Sequence, residues 1–305
     1  VTDNIVANLY VDKIKKSLEK ENIITSVCVL ENGEANKNIE GISNIYSTLA
    51  KNELSRKDMI IALGGGVVGD MSGYAAATWM RGVDFIQIPT TLLACIDSSV
   101  GGKTGINIAE GKNLIGAFHS PKLVIIDSET LESLPKREFN AGMSEIVKHA
   151  LLFDEKLLEI IENHYNKNEK LDIDYILKRN CELKSHIVQI DYKEKKERMF
   201  LNFGHTIGHS VENASGYGVL LHGEAVAIGM IFAIEYGIKL GITKNKNILE
   251  RVKNILSNIG LPINIPKNIN LKEAIKLDKK RNNEKINFVF LEDIGKPIIE
   301  KVDIN

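Results

Sequence analysis

The sequence predicts an α/β protein with a mainly parallel sheet covered by helices on both faces, followed by a mainly α-helical half. Three observations lead to this fold class. Strand and helix patterns alternate as far as Asp127, which is typical of parallel sheets. The apolar run Met59–Leu63 is followed at once by three glycines and an alanine-rich helical stretch. After Pro135 the patterns are almost all helical.

The elements of the first half follow from hydrophobic periodicity. Asn4–Glu21 carries apolar residues at helical spacing, and Asn38–Lys51 reads as a second helix. Short apolar runs bounded by turn residues are typical of buried strands. We therefore predict strands at Ile23–Leu30, Met59–Leu63, Phe85–Ile88 and Lys122–Asp127, and a helix at Ser72–Met80.

The second half is predicted to contain the helices Glu145–Leu158, Ile173–Gln189, Thr206–Ala214, Glu224–Leu240 and Asn247–Asn258. Lys285–Phe290 alternates weakly and is predicted to return as a strand. We place a boundary near residue 130. This gives an α/β domain over residues 1–130 and a helical domain over residues 131–305, and a cleft between such halves is a common place for a small-molecule site.

Composition excludes several classes of function. The chain has 305 residues, 44% hydrophobic and 26% charged, with a net charge of −1. Such a balance gives no electrostatic case for binding nucleic acid or an anionic membrane, and no apolar run is long enough to span a bilayer. The three cysteines are far apart and form no metal-like pair. We therefore expect a cytoplasmic protein with a small-molecule ligand.

The glycine turn predicts a phosphate site. The pattern Gly64-x-Gly66-x-x-Gly69 lies between a strand and a helix, a layout that aims backbone N–H groups at a phosphate. Glycine suits it because a Cβ would block close approach and forbid positive φ. A tight strand-to-helix turn without a ligand is the alternative. The acidic residue that usually closes the next strand is missing, so this is not an ordinary Rossmann first turn.

A histidine cluster predicts a metal site. Three of the seven histidines fall within eighteen positions. His205 and His209 are four residues apart and share a helix face, so spacing proposes them as a ligand pair with His222 or Glu224 as the third ligand. Histidines held by hydrogen bonds in the core are the alternative. Glu145 and Lys148 lie three apart on another helix face, where a solvated ion pair is the simplest interpretation.

The most specific motifs lie around these features. Pro89–Ala94 is followed by Asp97–Gly105 and then by Gly111-Lys112-Asn113. Together with the upstream GGGVVGD and the later NFGHTIGH and LHGE, they resemble 3-dehydroquinate synthase over nearly the whole chain. The resemblance implies a Rossmann-like NAD⁺ domain, further strands before the position of Val1, and a helical domain that binds metal and substrate.

The resemblance also assigns roles to residues. It implies Zn²⁺ or Co²⁺ held by Glu145, His205 and His222, with His209 beside the substrate. It implies substrate contacts from Asp97, Lys103, Asn113, Lys148, Lys184, Arg198, Asn202 and Lys280. It implies NAD⁺ contacts from Glu34, Lys37, Gly65, Gly66, Val67, Val68, Gly69, Asp70, Thr90, Thr91, Lys103, Lys112, Thr130, Leu131 and Ser133. Asn202 could otherwise cap the helix that carries His205, and Asn32 and Ala35 depart from the family pattern around Glu34.

The implied substrate is a seven-carbon 2-keto sugar-acid phosphate. In the family NAD⁺ oxidises its C5 hydroxyl, phosphate is eliminated, NADH reduces C5 again and an aldol step closes the carbocycle, so a lyase reaction results with no net redox change. Arg81 resembles an arginine that reaches the substrate phosphate of the neighbouring subunit, which implies a homodimer. The alternatives are a related sugar-phosphate cyclase, a metal-dependent polyol dehydrogenase and a nucleotide-binding scaffold protein.

Overall fold

The structure is a computed structural model, and it describes residues 1–216, 218–267, 269 and 286–302. Its internal contacts divide the chain into two compact units, Val1–Leu134 and Pro135–Asn305. No helix in these described ranges is both long and apolar enough to cross a membrane.

The first unit is built on parallel strands: β1 (Thr2–Asp3), β2 (Val29–Leu30), β3 (Met59–Gly64), β4 (Asp84–Pro89) and β7 (Leu123–Val124). β2 pairs with β1, and β4 lies between β3 and β7. The carbonyl of Val1 accepts a hydrogen bond of 2.9 Å from the backbone N–H of Leu63, which joins β1 to β3. The strand pairs are therefore β1-β2 in one sheet and β3-β4-β7 in another, with Val1 linking the two.

Helices cover both faces of this sheet, as predicted. They are α1 (Asp12–Lys20), α2 (Ile39–Lys51) and α3 (Gly66–Thr78). Successive strand side chains point to opposite faces. Ile60 and Phe85 belong to a core shared with α2 and α3, whereas Leu63 and Ile88 pack with the segment that leads into α1.

A hairpin that the sequence did not predict follows β4. β5 (Lys103–Ile108) and β6 (Gly111–Phe118) pair antiparallel. A Cβ on Gly105 would lie 2.6 Å from the carbonyl oxygen of Ile115, and one on Gly116 would lie 2.1 Å from that of Thr104. The glycines of this motif therefore let the two backbones approach closely.

The second unit contains α4 (Lys136–Phe153), α5 (Glu155–Lys167), α6 (Ile173–Ile190), α7 (His205–Ser215), α8 (His222–Lys239) and α9 (Asn247–Ile259). An antiparallel hairpin, β8 (Ile286–Asp293) and β9 (Lys296–Val302), follows them in sequence. α8 is buried over most of its length. The aromatic ring of Tyr236 on α8 packs against Phe288 and Phe290, with ring centroids 6.0 and 5.8 Å apart.

Several predicted boundaries were wrong. The helix predicted to start at Ser72 begins at Gly66, inside the glycine turn. The strands predicted at Ile23–Leu30 and Lys122–Asp127 are each reduced to two residues. Both are edge strands, and each pairs with a single described neighbour.

The helix predicted at Glu145–Leu158 is really two helices. Asp154 ends α4 and caps α5, because its side chain accepts a hydrogen bond of 3.1 Å from the N–H of Leu157. The closing strand starts at Ile286, and its partner β9 was not predicted. Lys285 lies outside the described residues.

Candidate active site

The candidate metal centre begins with a fully buried carboxylate on α4. Glu145 has no exposed surface, and neither of its oxygens accepts a hydrogen bond from a described residue. The ammonium of Lys148, one turn later, makes an ion pair with Oε2. Lys148 is itself only 1% exposed, so the pair is a buried one and the solvated interpretation was wrong.

Glycines bring the two histidine helices together. α7 starts at His205 immediately after Gly204, whose φ is 78°. A Cβ on Gly229 of α8 would lie 1.9 Å from the carbonyl oxygen of Gly204, so the two backbones are in contact. The rings of His205 and His222, the first residues of α7 and α8, have centroids 5.1 Å apart.

Both imidazoles face the buried carboxylate. The Nε2 atoms of His205 and His222 lie 3.6 and 3.7 Å from Oε1 of Glu145. Two ligands of one tetrahedral Zn²⁺, at bond lengths of about 2.0–2.2 Å, stand about 3.3–3.6 Å apart. The separations therefore fit a shared divalent cation, and a cation would also satisfy a buried carboxylate oxygen that accepts no hydrogen bond.

The opposite ring nitrogens are engaged as metal-binding histidines require. Nδ1 of His205 lies 3.2 Å from the carbonyl oxygen of Phe203, and Nδ1 of His222 lies 3.4 Å from Oε2 of Glu212. Such contacts fix the tautomer that leaves Nε2 for the metal. Burial, and then the charge of Lys148, hold the pKa of His205 well below its usual range, which favours the neutral, metal-binding imidazole. Sequence reasoning missed Glu212.

His209 and Glu224, the ligands that spacing alone proposed, have different surroundings. His209 is exposed, and its ring centroid lies 5.4 Å from that of His205 and 5.7 Å from that of His222. Nitrogen atoms of these three rings lie within 4.8 Å of one another, so histidine-only ligation is a geometric alternative. Both carboxylate oxygens of Glu224 instead accept hydrogen bonds from Arg137, each 2.7 Å long.

Other predicted substrate residues of this unit are buried cations. Lys148, Lys184 and Arg198 are 1–5% exposed. Nη1 of Arg198 donates to the carbonyl oxygen of Tyr192 over 2.7 Å. Lys280 lies outside the described residues.

Asn202 does not cap α7. Gly204 occupies the cap position, and no side chain bonds to the first turn there. Asn202 ends a short helical turn, Glu197–Asn202, and its amide donates to Oε1 of Glu194 over 2.8 Å. Glu194, with φ of 55°, is a second residue that the sequence did not single out.

In the first unit, α3 begins within the glycine turn. Gly65 is the cap residue, and the N–H of Gly69 makes a 3.0 Å bond to its carbonyl. The N–H groups of Gly66, Val67 and Val68 therefore lie in the first turn of α3, before its first backbone hydrogen bond, and have no acceptor within the helix. None of these glycines has positive φ, so that reason for glycine was wrong.

Space explains the glycines instead. A Cβ on Gly66 would lie 3.0 Å from Oγ of Ser98, and one on Gly69 would lie 2.8 Å from Oε1 of Gln87. The hydroxyls of Thr90 and Ser98 are buried with no hydrogen-bond partner among described residues. Backbone N–H groups without a helical acceptor, and hydroxyls without a partner, lie beside the glycine turn, where they could bind the phosphates of a dinucleotide. Ser98 was not predicted.

A hydrogen-bond network joins several predicted residues of this unit. The ammonium of Lys37 donates to Oδ2 of Asp70 over 2.5 Å and to Oδ1 of Asn113 over 2.6 Å. Asn107, which was not predicted, donates to Oε1 of Glu34 and accepts from the N–H of Asn113. Lys37, Asp70, Asn113 and Glu34 thus lie together.

The remaining predicted NAD⁺ residues form two smaller groups. The N–H of Thr90 donates to the carbonyl oxygen of Gly64, and Oγ1 of Thr91 accepts from the N–H of Ala94. The hydroxyl of Tyr10 lies 2.6 Å from that of Ser133 and donates to the carbonyl oxygen of Thr130. Four further predicted residues lie in turns and strands of this unit. Asp97 lies in the turn Ala94–Ser98, Lys103 begins β5 and Lys112 lies in β6. Leu131 is buried in the turn Ser128–Ser133.

Arg81 lies on an exposed turn with unusual backbone geometry. Met80 and Arg81 have φ of 48° and 68°, and Gly82 follows with 122°. Non-glycine residues with such positive φ values cost about 1–3 kcal/mol of backbone strain each and cluster at functional sites. Among the described residues, none forms a hydrogen bond or ion pair with Arg81.

A parallel-sheet unit whose helix α3 begins in a glycine turn, and a helical unit with a carboxylate and two facing imidazoles, are the features expected of an NAD-using metalloenzyme. The chain belongs to the 3-dehydroquinate synthase family. Residues 27–141 match the family model described as 3-dehydroquinate synthase N-terminal, and residues 142–281 match the C-terminal one. The predicted fold class and family are confirmed.

Curated relatives agree. The 3-dehydroquinate synthase of Prochlorococcus marinus (strain MIT 9312) is 46% identical over 97% of this chain and 83% of its own length. That of Thermoanaerobacter pseudethanolicus is 46% identical over 99% of this chain and 86% of its own.

Solved structures show the same architecture with bound cofactors. ValA, the 2-epi-5-epi-valiolone synthase of Streptomyces hygroscopicus, has NAD⁺ and Zn²⁺ bound and is 27% identical, with a TM-score of 0.91 over 100% of this chain and 86% of its own. A 2-deoxy-scyllo-inosose synthase, solved with carbaglucose-6-phosphate, NAD⁺ and Co²⁺, is 26% identical. Its TM-score is 0.86 over 99% of this chain and 86% of its own. These are the cofactors that the sequence predicts. Glycerol dehydrogenase from Schizosaccharomyces pombe, at 17% identity and a TM-score of 0.59, shares the fold alone.

Proposed function

We propose that this chain converts 3-deoxy-arabino-heptulosonate 7-phosphate to 3-dehydroquinate and phosphate, as a cyclising carbon–oxygen lyase that uses bound NAD⁺ and Zn²⁺ or Co²⁺. The observation that carries the proposal is the buried Oε1 of Glu145, which faces the Nε2 atoms of His205 and His222 at 3.6 and 3.7 Å. Identity of 46% to curated synthases over nearly the full chain supports the same assignment.

Each group of residues has one task in this proposal. When bound, NAD⁺ supplies a reversible hydride acceptor and the metal supplies a Lewis acid. The N–H groups of Gly66, Val67 and Val68 bind the pyrophosphate. Lys37 holds Asp70 and Asn113 in place through bonds of 2.5 and 2.6 Å.

The second unit supplies the groups that bind the substrate's anionic groups and transfer protons. The buried cations Lys148, Lys184 and Arg198 bind the anionic groups of the substrate. His209 is exposed beside the two proposed ligands, and a histidine changes charge near neutral pH. We therefore assign it the transfer of protons between substrate and solvent. Asp97, Lys103, Asn202 and Lys280 complete the proposed substrate contacts.

The proposal includes a homodimer in which Arg81 reaches the neighbouring subunit. Its support is the exposed, strained turn that presents the guanidinium, whose planar fork suits a phosphate. A cytoplasmic location is also proposed, since none of the three cysteines is in a disulfide.

A substrate panel tests the reaction. Purified protein with NAD⁺ and Co²⁺ is given the heptulosonate phosphate or glucose 6-phosphate, which has no carboxylate, and products are identified by mass spectrometry and NMR. We expect 3-dehydroquinate from the first and no carbocycle from the second. A carbocycle from the sugar phosphate alone would assign the chain to another cyclase activity.

A further inference from the structure

The start of α8 is anchored to α4 by one arginine. The guanidinium of Arg137 makes two parallel hydrogen bonds to the carboxylate of Glu224, each 2.7 Å long, and a third of 2.8 Å to the carbonyl oxygen of Val219. Glu224 also accepts from the N–H of Leu221 over 2.8 Å, which caps α8. Arg137 therefore bonds to residues on both sides of His222, to Val219 before it and to Glu224 after it.

Close packing adds to this anchor. A Cβ on Gly223 would lie 1.9 Å from the carbonyl oxygen of Ala141 and 2.6 Å from Oγ of Ser144. Ala141 is one helical turn before Glu145. The residue that follows His222 thus touches α4 beside the proposed carboxylate ligand, and small movements of the α8 start change the distance between His222 and Glu145.

The fork between Arg137 and Glu224 is well suited to hold this position. Bidentate arginine–carboxylate pairs fix orientation as well as distance. The side chain of Glu224 is 12% exposed, whereas that of Arg137 is 55% exposed.

We propose that Arg137 and Glu224 form a positioning pair that sets the separation of His222 from Glu145, and so tunes metal affinity without touching the metal. This inference rests on the metal site of the proposed function. It differs from the ligand role that spacing suggested for Glu224, because both oxygens are occupied by Arg137.

Co²⁺ binding to the purified protein tests the pair. The variants are Arg137→Met, Glu224→Gln and their double, with Arg137→Lys as a milder change that keeps the charge but not the fork. The matched control is Arg251→Met, because Arg251 makes the same two-bond fork to Glu162, at 2.7 and 2.6 Å, between α9 and α5. Affinity is measured by chelator competition, and ligand geometry by the visible spectrum of bound Co²⁺.

We expect Arg137→Met and Glu224→Gln each to bind Co²⁺ about 10–100-fold more weakly, the range for residues that support metal ligands. The double variant should bind about as weakly as the weaker single variant, since both single variants break the same Arg137–Glu224 fork, and the Co²⁺ spectrum should change. Arg251→Met should lower stability yet leave affinity and spectrum unchanged.

Three results would overturn the inference. Co²⁺ affinities of the Arg137 and Glu224 variants within twofold of the wild-type value would show that the pair does not position His222. A loss in Glu224→Gln without one in Arg137→Met would make Glu224 a ligand. Wild-type protein that binds no Co²⁺, or binds it equally well as His222→Ala, would remove the metal site of the proposed function as well.

Discussion

Glu145→Gln separates the electrostatic and metal-binding roles of the buried carboxylate. The change keeps the shape of the side chain but removes its charge, while Lys148 stays 1% exposed beside it. Removing one partner of a buried pair costs about 3–5 kcal/mol, because the other charge remains uncompensated. Total stabilities are about 5–15 kcal/mol, so metal-free Glu145→Gln should unfold at clearly lower urea concentration than metal-free wild type.

The double variant Glu145→Gln/Lys148→Met makes this test specific. It removes both charges, so we expect it to recover most of the lost stability in urea unfolding followed by circular dichroism. Metal binding should stay lost in both variants, as measured by metal analysis after dialysis. A double variant that recovers stability and also binds one Co²⁺ with wild-type affinity would refute the ligand role of Glu145.

Three further outcomes are expected. His205→Ala and His222→Ala should lose bound metal, whereas His209→Ala should keep it and lose turnover; metal analysis showing the reverse for His209 and His222 would contradict the ligand assignment. Gly66→Val should abolish NAD⁺ binding in calorimetry by filling the phosphate approach, and unchanged affinity would leave the loop as a turn only. Arg81→Ala should lower kcat/KM about tenfold or more, for a lost charge-assisted bond of about 1.5–3 kcal/mol. Mixing Arg81→Ala with His205→Ala chains should then restore activity, and no recovery despite subunit exchange shown by mass spectrometry would contradict the shared site.

The sequence predicted the features that depend on local patterns. The strand Met59–Gly64, the helix Ile39–Lys51 and the helix Asn247–Ile259 appear close to their predicted bounds, because periodicity and caps are encoded locally. α4 was misplaced because residues 141–152 are all buried, so this part of the helix has no polar face to give a helical period.

Residues that act through distant partners could not be predicted. Asn107 and Arg137 meet Glu34 and Glu224, 73 and 87 residues away in sequence, only after the chain folds. Glu212 meets His222 only once α7 and α8 pack together. Spacing favoured His205 with His209, and only the tertiary structure shows Glu145 facing His205. The hairpin Lys103–Phe118 was missed because its glycines serve backbone approach between strands, and glycine is otherwise depleted in strands.

The stoichiometry of NAD⁺ tests the proposed reaction most directly. The enzyme, loaded with Co²⁺ and an amount of NAD⁺ far below that of the heptulosonate phosphate, is followed for phosphate release and for NADH absorbance in one reaction. Because the hydride returns to the substrate, we expect many phosphates released per NAD⁺, with 3-dehydroquinate formed in equal amount and no accumulation of NADH. One NADH accumulating per substrate consumed, without phosphate release, would contradict the lyase reaction and indicate a dehydrogenase.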